Sequence, residues 1–299
     1  MLFTEKLRPR VDCLELPLLK QKNIEANVLR LDLVDPVISG NKWFKLKQYV
    51  AAAYEKNQKT IATFGGAFSN HILATAAVCH RTGIQSVGII RGEPSKFLST
   101  TLKTAMEWGM ELFFIDRENY RLKRVPSALY EKYPGFYLIN EGGYGYLGMK
   151  GAQTILDLLD AAEYTHILAA VGTGTTLAGL IEGCDKTQNV IGIASLKNNL
   201  ELQNEINALL SMKNKNRFHL IHGFHFGGYA KSTKELFDFM NDWYYKTGIP
   251  SDFVYTGKLF YGFYKMLEEN FFPPKSKILL IHSGGLQGNN SLEKGTLIF

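Results

Sequence analysis

Three stretches of the 299-residue chain carry side chains that could hold anions or do covalent chemistry. In Ala169-Ala-Val-Gly-Thr-Gly-Thr-Thr-Leu-Ala-Gly179, two glycines and three threonines separate a short apolar strand, beginning near Ile167, from a helix that reads from Leu177. Glycine lets the backbone turn tightly and approach a ligand, and the free N–H groups and positive dipole at a helix start favour an anion. A phosphate is the expected guest of Gly172, Thr173, Gly174, Thr175 and Thr176; the plainer alternative is a strand-to-helix turn capped by threonines. The second stretch is Ser39-Gly-Asn-Lys-Trp-Phe-Lys-Leu-Lys47. Trp43, Leu46, Tyr49 and Val50 fall on one face of a helix starting at Asn41, which places Lys42 in its first turn. Lys42, Lys45 and Lys47 sit at the wrong end of a helix for cations unless an anion is near, and a solvated lysine face is the competing reading. In the third, Gly65-Gly-Ala-Phe-Ser-Asn-His71, a glycine turn again opens a helix whose backbone N–H groups could receive a carboxylate. There the alternative is that Ser69 or Asn70 only caps the helix.

One cofactor would use all three. Pyridoxal phosphate needs a phosphate anchor, a lysine to form a Schiff base and a carboxylate site for its amino-acid substrate, while its ring carries the carbanion. A nucleotide-binding domain would use the same glycine turn and stays open at this point.

The elements that must position these residues alternate. Strands are expected at 27–34, 60–64, 86–90, 111–115, 136–139, 190–194, 218–221 and 278–282, besides the one before Gly172. Helices are expected through Cys79 and at 100–108, 121–133, 152–162, 200–210 and 235–245, with another carrying Tyr261 and Met266. Such alternation implies parallel sheets with helices on both faces. Glu141-Gly-Gly143 opens a glycine-rich connection through Gly151 that reads as a domain boundary. Ser283-Gly-Gly285 is a third glycine turn at a strand end.

Composition narrows the class. With 45% hydrophobic and 21% charged residues the chain reads as an ordinary soluble protein, long enough for one large or two modest domains. The formal charge is +6, but the lysines are interleaved with acids, so nucleic acid is not an expected partner. Cys13, Cys79 and Cys184 are odd in number and far apart, which suggests neither a disulfide framework nor zinc. His219, His222 and His225 share no helix face and lack a completing ligand, so no metal is expected. Met1 to Lys20 has no apolar signal block and no run suits a bilayer, so the expectation is a reduced, cytoplasmic protein without membrane partners.

The ordered set of motifs resembles a known family. Gly40-Asn-Lys42 with Lys45-Leu46, Gly65-Gly66 with Ser69-Asn-His71, Gly172-Thr-Gly-Thr-Thr176, Tyr229, Tyr255-Thr-Gly-Lys258 and His282-Ser-Gly-Gly285 are similar to the series in 1-aminocyclopropane-1-carboxylate deaminases and D-cysteine desulfhydrases. The likeness runs from about Arg30 to Gly285 and implies the tryptophan-synthase-β type of fold, with a smaller α/β domain at 45–144 and a larger one from 1–44 plus 145–299. It implies that Lys42 bears the pyridoxal phosphate, that Lys45 and Gly172–Thr176 bind its phosphate, and that Asn70 meets its ring hydroxyl. Backbone around Ser69, Asn70 and His71 would take the substrate carboxylate, with Thr256 also at the substrate. Tyr255 would pack on the ring, Tyr229 would lie near the substrate, and Ser283 would face the pyridine nitrogen. Lys42, Ser69, Tyr229 and Tyr255 are the implied catalytic set, and a homodimer is the implied assembly.

Within that family, deaminases of the cyclopropane acid carry glutamate at the position of Thr256 and leucine at that of Ser283, whereas desulfhydrases carry hydroxyl residues at both. The resemblance therefore implies β-elimination from a D-amino acid such as D-cysteine, by a Lys42 amine of depressed pKa. Phe44 stands where the family usually has arginine. Ring opening of the cyclopropane acid, with Ser69 as a base, is the alternative within that family. Racemisation or dehydration of a hydroxyamino acid, a non-catalytic binding protein on the same scaffold, and a nucleotide-dependent oxidoreductase are the remaining alternatives.

Overall fold

The computed structural model describes residues 3, 7, 9–94 and 96–299, so part of the Met1–Lys20 stretch lies outside the described residues. The strands are β1 (Arg10–Cys13), β2 (Glu25–Arg30), β3 (Thr60–Gly65), β4 (Gln85–Arg91), β5 (Glu111–Ile115), β6 (Tyr137–Ile139), β7 (His166–Val171), β8 (Asn189–Ala194), β9 (Phe218–Ile221) and β10 (Lys277–His282). The helices are α1 (Pro17–Lys22), α2 (Asn41–Glu55), α3 (Asn70–Thr82), α4 (Thr100–Glu107), α5 (Arg117–Arg121), α6 (Ser127–Lys132), α7 (Tyr146–Gln153), α8 (Thr175–Gly183), α9 (Leu202–Leu209), α10 (Lys234–Thr247) and α11 (Thr256–Glu268). Among the described residues no helix is long and apolar enough to cross a membrane.

Two sheets result. The middle of the chain makes a parallel one ordered β5-β4-β3-β6, and the two ends together make one ordered β1-β2-β10-β7-β8-β9, in which only β1 runs antiparallel. Every residue of β3 and of β7 is buried, as expected of parallel strands covered on both faces. Along β7, Ile167, Ala169 and Val171 join one apolar cluster with Leu46, Met149 and Leu177. Leu168 and Ala170 point the other way, to a cluster with Phe260 and Phe263 of α11. From β7 the chain winds outward through β8 and β9, whereas β10 lies on its other side. The C-terminal ends of β7 and β10 thus flank a reversal of strand order, where α/β sheets open a crevice for ligands.

Several element boundaries differ from the sequence reading. The strand expected at 27–34 ends at Arg30, and Leu31–Leu33 form a single 3₁₀ turn. The helix expected at 121–133 is two short helices, α5 and α6, parted before Pro126, whose missing N–H and fixed φ suit a helix start. Within the glycine-rich stretch through Gly151, α7 begins at Tyr146, and 3₁₀ turns at Leu156–Leu158 and Ala161–Glu163 replace the helix expected at 152–162. Its glycines serve close packing. A Cβ on Gly151 would lie 2.1 Å from the Phe44 carbonyl oxygen of α2, and one on Gly179 of α8 would lie 2.5 Å from Cβ of Ala152.

Candidate active site

The helix carrying Lys42 is docked by its first residues. Gly40 has φ 68°, and a Cβ there would fall 1.8 Å from the Ser283 carbonyl oxygen, so only glycine lets α2 start against the end of β10. The Asn41 N–H then donates to that carbonyl at 3.2 Å. The Asn41 side chain spans to the threonine turn, its Nδ2 donating to Thr176 Oγ1 at 2.8 Å, while its Oδ1 accepts from Lys42 Nζ at 2.9 Å. One residue thus ties the amine of Lys42 to the start of α8.

The turn itself follows β7. Gly174 has φ 77°, and a Cβ there would meet Ile206 at 2.4 Å, so this position also requires glycine. The Thr173 and Thr175 hydroxyl oxygens lie 3.2 Å apart, and α8 begins at Thr175 with its first N–H groups lacking intrahelical partners. Lys45 is buried, which excludes the solvated lysine face for it, and its Nζ donates to Gly142 O at 3.1 Å; Lys47 is exposed.

An open cleft joins these groups. Lys42, Lys45, Asn70, Gly172–Thr176, Tyr255 and Ser283 all line it, as do Ser39, Asn41 and Gly284. Asn70 Oδ1 is buried with no hydrogen-bond partner among the described residues, which leaves an acceptor at the cleft wall for a ligand hydroxyl.

Four expected residues stand back from the cleft. Ser69 caps α3, its Oγ accepting from Ile72 N at 3.3 Å, as the plainer reading had it. The His71 ring is buried with Nε2 3.0 Å from Thr63 Oγ1, which ties the α3 start to β3. Tyr229 meets the Tyr255 ring edge-on at 6.2 Å. Thr256 is a correction. It is fully buried, its hydroxyl donating to Asp252 Oδ1 and accepting from Asp252 N, both at 2.7 Å, so it has no free bond to offer a substrate.

Asp252 and Asn41 are the groups that sequence reasoning missed. The Asp252 carboxylate accepts the N–H groups of Val254, Tyr255 and Thr256 at 2.9–3.0 Å, capping α11 and fixing Tyr255 in the wall. Asp252 lies four residues ahead of the first helical residue, outside the position where a capping side chain is read from sequence. Asn41 stood inside the Gly40-Asn-Lys42 motif, but nothing in the spacing said that its amide reaches Thr176.

Electrostatics favour reactive amines here. Burial lowers the pKa of Lys42 to about 8, with Asp252 opposing the shift. Burial drives Lys45 well below the ordinary lysine value, and the Lys42 charge adds to this. Burial and then the Lys42 and Lys45 charges do the same to His71. The depression expected for Lys42 therefore comes from desolvation. Tyr255 is pushed well above 10.0, chiefly by burial, and presents a neutral phenol. Behind the cleft, His282 sits with Nε2 2.8 Å from Pro250 O and accepts Gly284 N–H at Nδ1, at 3.3 Å. The Asp32 carboxylate also lies 3.3 Å from Nδ1, so the ring holds the turn after β10 from both nitrogens; burial lowers its pKa, with Asp32 opposing the shift.

A lysine amine and a threonine-lined helix start lining one cleft, with an unpartnered acceptor in its wall, are the set of groups that suits an enzyme gripping a phosphorylated carbonyl cofactor. The family model described as "Pyridoxal-phosphate dependent enzyme" matches residues 9–284, and the chain belongs to that family of enzymes. It is 30% identical over 284 residues to a putative 1-aminocyclopropane-1-carboxylate deaminase of Thermotoga maritima, covering 87% of this chain and 88% of the relative. It is 29% identical over 305 residues to the bifunctional D-cysteine desulfhydrase/1-aminocyclopropane-1-carboxylate deaminase, mitochondrial, of Arabidopsis thaliana, covering 88% and 73%. Among solved structures, a homologue of the same deaminase superposes with a TM-score of 0.81 at 24% identity, covering 95% of this chain and 91% of that one, which is the parallel α/β fold expected.

Proposed function

We propose that the chain is a deaminating lyase of small amino acids, and that its reaction is β-elimination from D-cysteine or a related D-amino acid. The observation that carries this reading is the meeting of Lys42, the Gly172–Thr176 turn and the unpartnered Asn70 Oδ1 in one cleft. When bound, pyridoxal phosphate supplies an electron-accepting ring that stabilises negative charge at the substrate α-carbon. Lys42 Nζ would hold it at the aldehyde carbon, Lys45 and the threonine turn at the phosphate, and Asn70 at the ring hydroxyl. Once substrate frees Lys42 Nζ, the amine removes the α-proton, for which a pKa of about 8 suits it. The first-turn N–H groups of Asn70 and His71 orient the substrate carboxylate. Tyr255 would pack on the ring face, and Tyr229, edge-on to Tyr255, would stand toward the substrate. The neutral Ser283 hydroxyl would face the ring nitrogen without protonating it, which favours loss of the β-substituent. With one water consumed, D-cysteine yields pyruvate, sulfide and ammonia.

In this reading the cleft separates a domain of residues 45–144 from one of 1–44 plus 145–299, the enzyme is a cytoplasmic homodimer, and its substrate is a small amino acid. Ring opening of 1-aminocyclopropane-1-carboxylate is a second reading, favoured by the names of the relatives. Thr256 locked on Asp252, where that chemistry has a glutamate, supports elimination instead. Sulfide release from D- and L-cysteine and 2-oxobutanoate formation from the cyclopropane acid should be compared on the purified holoprotein. Sulfide from the D-isomer is expected to dominate; faster 2-oxobutanoate formation, or no sulfide, would reject elimination.

A further inference from the structure

Lys258, in the first turn of α11, is fully buried, and none of the roles above uses it. Its ammonium makes no ion pair among the described residues. Instead Nζ donates to two backbone carbonyls, His225 O at 2.9 Å and Gly228 O at 2.7 Å. The loop it grips is unusual. Phe226, Gly227, Gly228 and Ala230 all have positive φ, at 49°, 91°, 118° and 51°. Left-handed backbone at Phe226 and Ala230 is unfavourable in isolation and persists only where surrounding groups hold it. Two carbonyls converging on one buried amine are such a restraint, and Tyr229 directly follows the second of them.

The other end of the same restraint is Tyr255. It precedes α11 directly, its N–H is fixed by Asp252, and its ring meets that of Tyr229 edge-on at 6.2 Å. We propose that Lys258 is a positioning residue that ties the loop 225–230 to the first turn of α11 and so sets Tyr229 against Tyr255 beside the cofactor cleft. The inference rests on the proposed function only where Tyr229 faces substrate; the tether itself does not depend on which reaction the enzyme performs.

Two measurements on the holoenzyme test it. Hydrogen exchange of the backbone amides of residues 226–231 reports the tether directly. In Lys258→Met, which keeps the aliphatic stem, that segment should exchange at least about ten-fold faster while the later turns of α11 keep their protection. Unchanged exchange would overturn the tether whatever the substrate proves to be. The second measurement is kcat/KM for D-cysteine in Lys258→Met, Tyr229→Phe and the double variant. Loss of charge-assisted hydrogen bonds gives an expected fall of roughly ten- to a hundred-fold for Lys258→Met. If Lys258 acts through Tyr229, the double variant falls no further than the weaker single. Losses that multiply would show that Lys258 acts elsewhere. Should Lys258→Met fail to fold, Lys258→Gln, a shorter donor, serves in both. Absence of turnover in the unmodified enzyme would reject the proposed reaction, and the exchange result would still decide the tether.

Discussion

An amine moved out of water loses the solvation of its charged form, and Lys42 shows the consequence, with a pKa of about 8 set mainly by burial. Only the unprotonated amine attacks an aldehyde. Below that pKa Lys42 is charged and inert, so capture of pyridoxal phosphate by the cofactor-free protein should speed up with rising pH and level off above about 8. Stopped-flow absorbance measures this, and a rate still climbing toward pH 10.5, the ordinary value for lysine, would mean that Lys42 is not desolvated. Asp252 offers a second test. Its carboxylate accepts three N–H groups and one hydroxyl at the start of α11, in a fully buried position. Asp252→Ala should destabilise the fold by about 2 kcal/mol in denaturant titration, the upper range for a lost helix cap. Asp252→Asn, which keeps an acceptor, should cost less.

Helices α2, α7 and α8 approach closely enough that glycine at their crossings is a packing requirement. Gly151→Ala would drive a methyl into the Phe44 carbonyl and push α2, with Lys42 and Lys45, away from the threonine turn. A stability loss of about 1–3 kcal/mol is expected for such overpacking, with weaker cofactor binding alongside. Thermal unfolding and cofactor titration check both; a variant that unfolds earlier but binds normally would separate the helix crossing from the site. The same stretch shows where sequence reading stopped. Strands such as β3 and β7 were legible because a parallel strand buried on both faces is a continuous apolar run. The glycines of α7 read as a connection because their reason for being there lies on another helix, and a local pattern carries no record of that. Likewise the lysines of α2 gave the right helix and face, yet the burial of Lys45 depends on Gly142, nearly a hundred positions away.

At the scale of the molecule, the cleft is assembled by distant segments: residues after β2, at the start of α3, after β7, before α11 and after β10. Their order and residue types were readable as a motif series, and so was the chemistry. Thr256 was misplaced because its partner, Asp252, could be recognised only once both were seen at the buried start of α11. A site of this kind should hold a plain anion when the cofactor is absent. Inorganic phosphate at a hundred-fold excess over its Kd should stabilise the cofactor-free protein by about 2.7 kcal/mol, seen as a rise in Tm. Replacing Lys45 by Met should remove most of that effect, and equal stabilisation in the variant would place the anion elsewhere.

Three buried or half-buried amines, Lys42, Lys45 and Lys258, have depressed pKa values, but only Lys42 is placed to hold the cofactor covalently. Borohydride reduction of the holoprotein, followed by peptide mass mapping, distinguishes them. A pyridoxyl adduct on the peptide bearing Lys42, absent from Lys42→Ala, is the expected result. An adduct on Lys45 or Lys258, or none on a protein that retains full activity, would contradict the assignment.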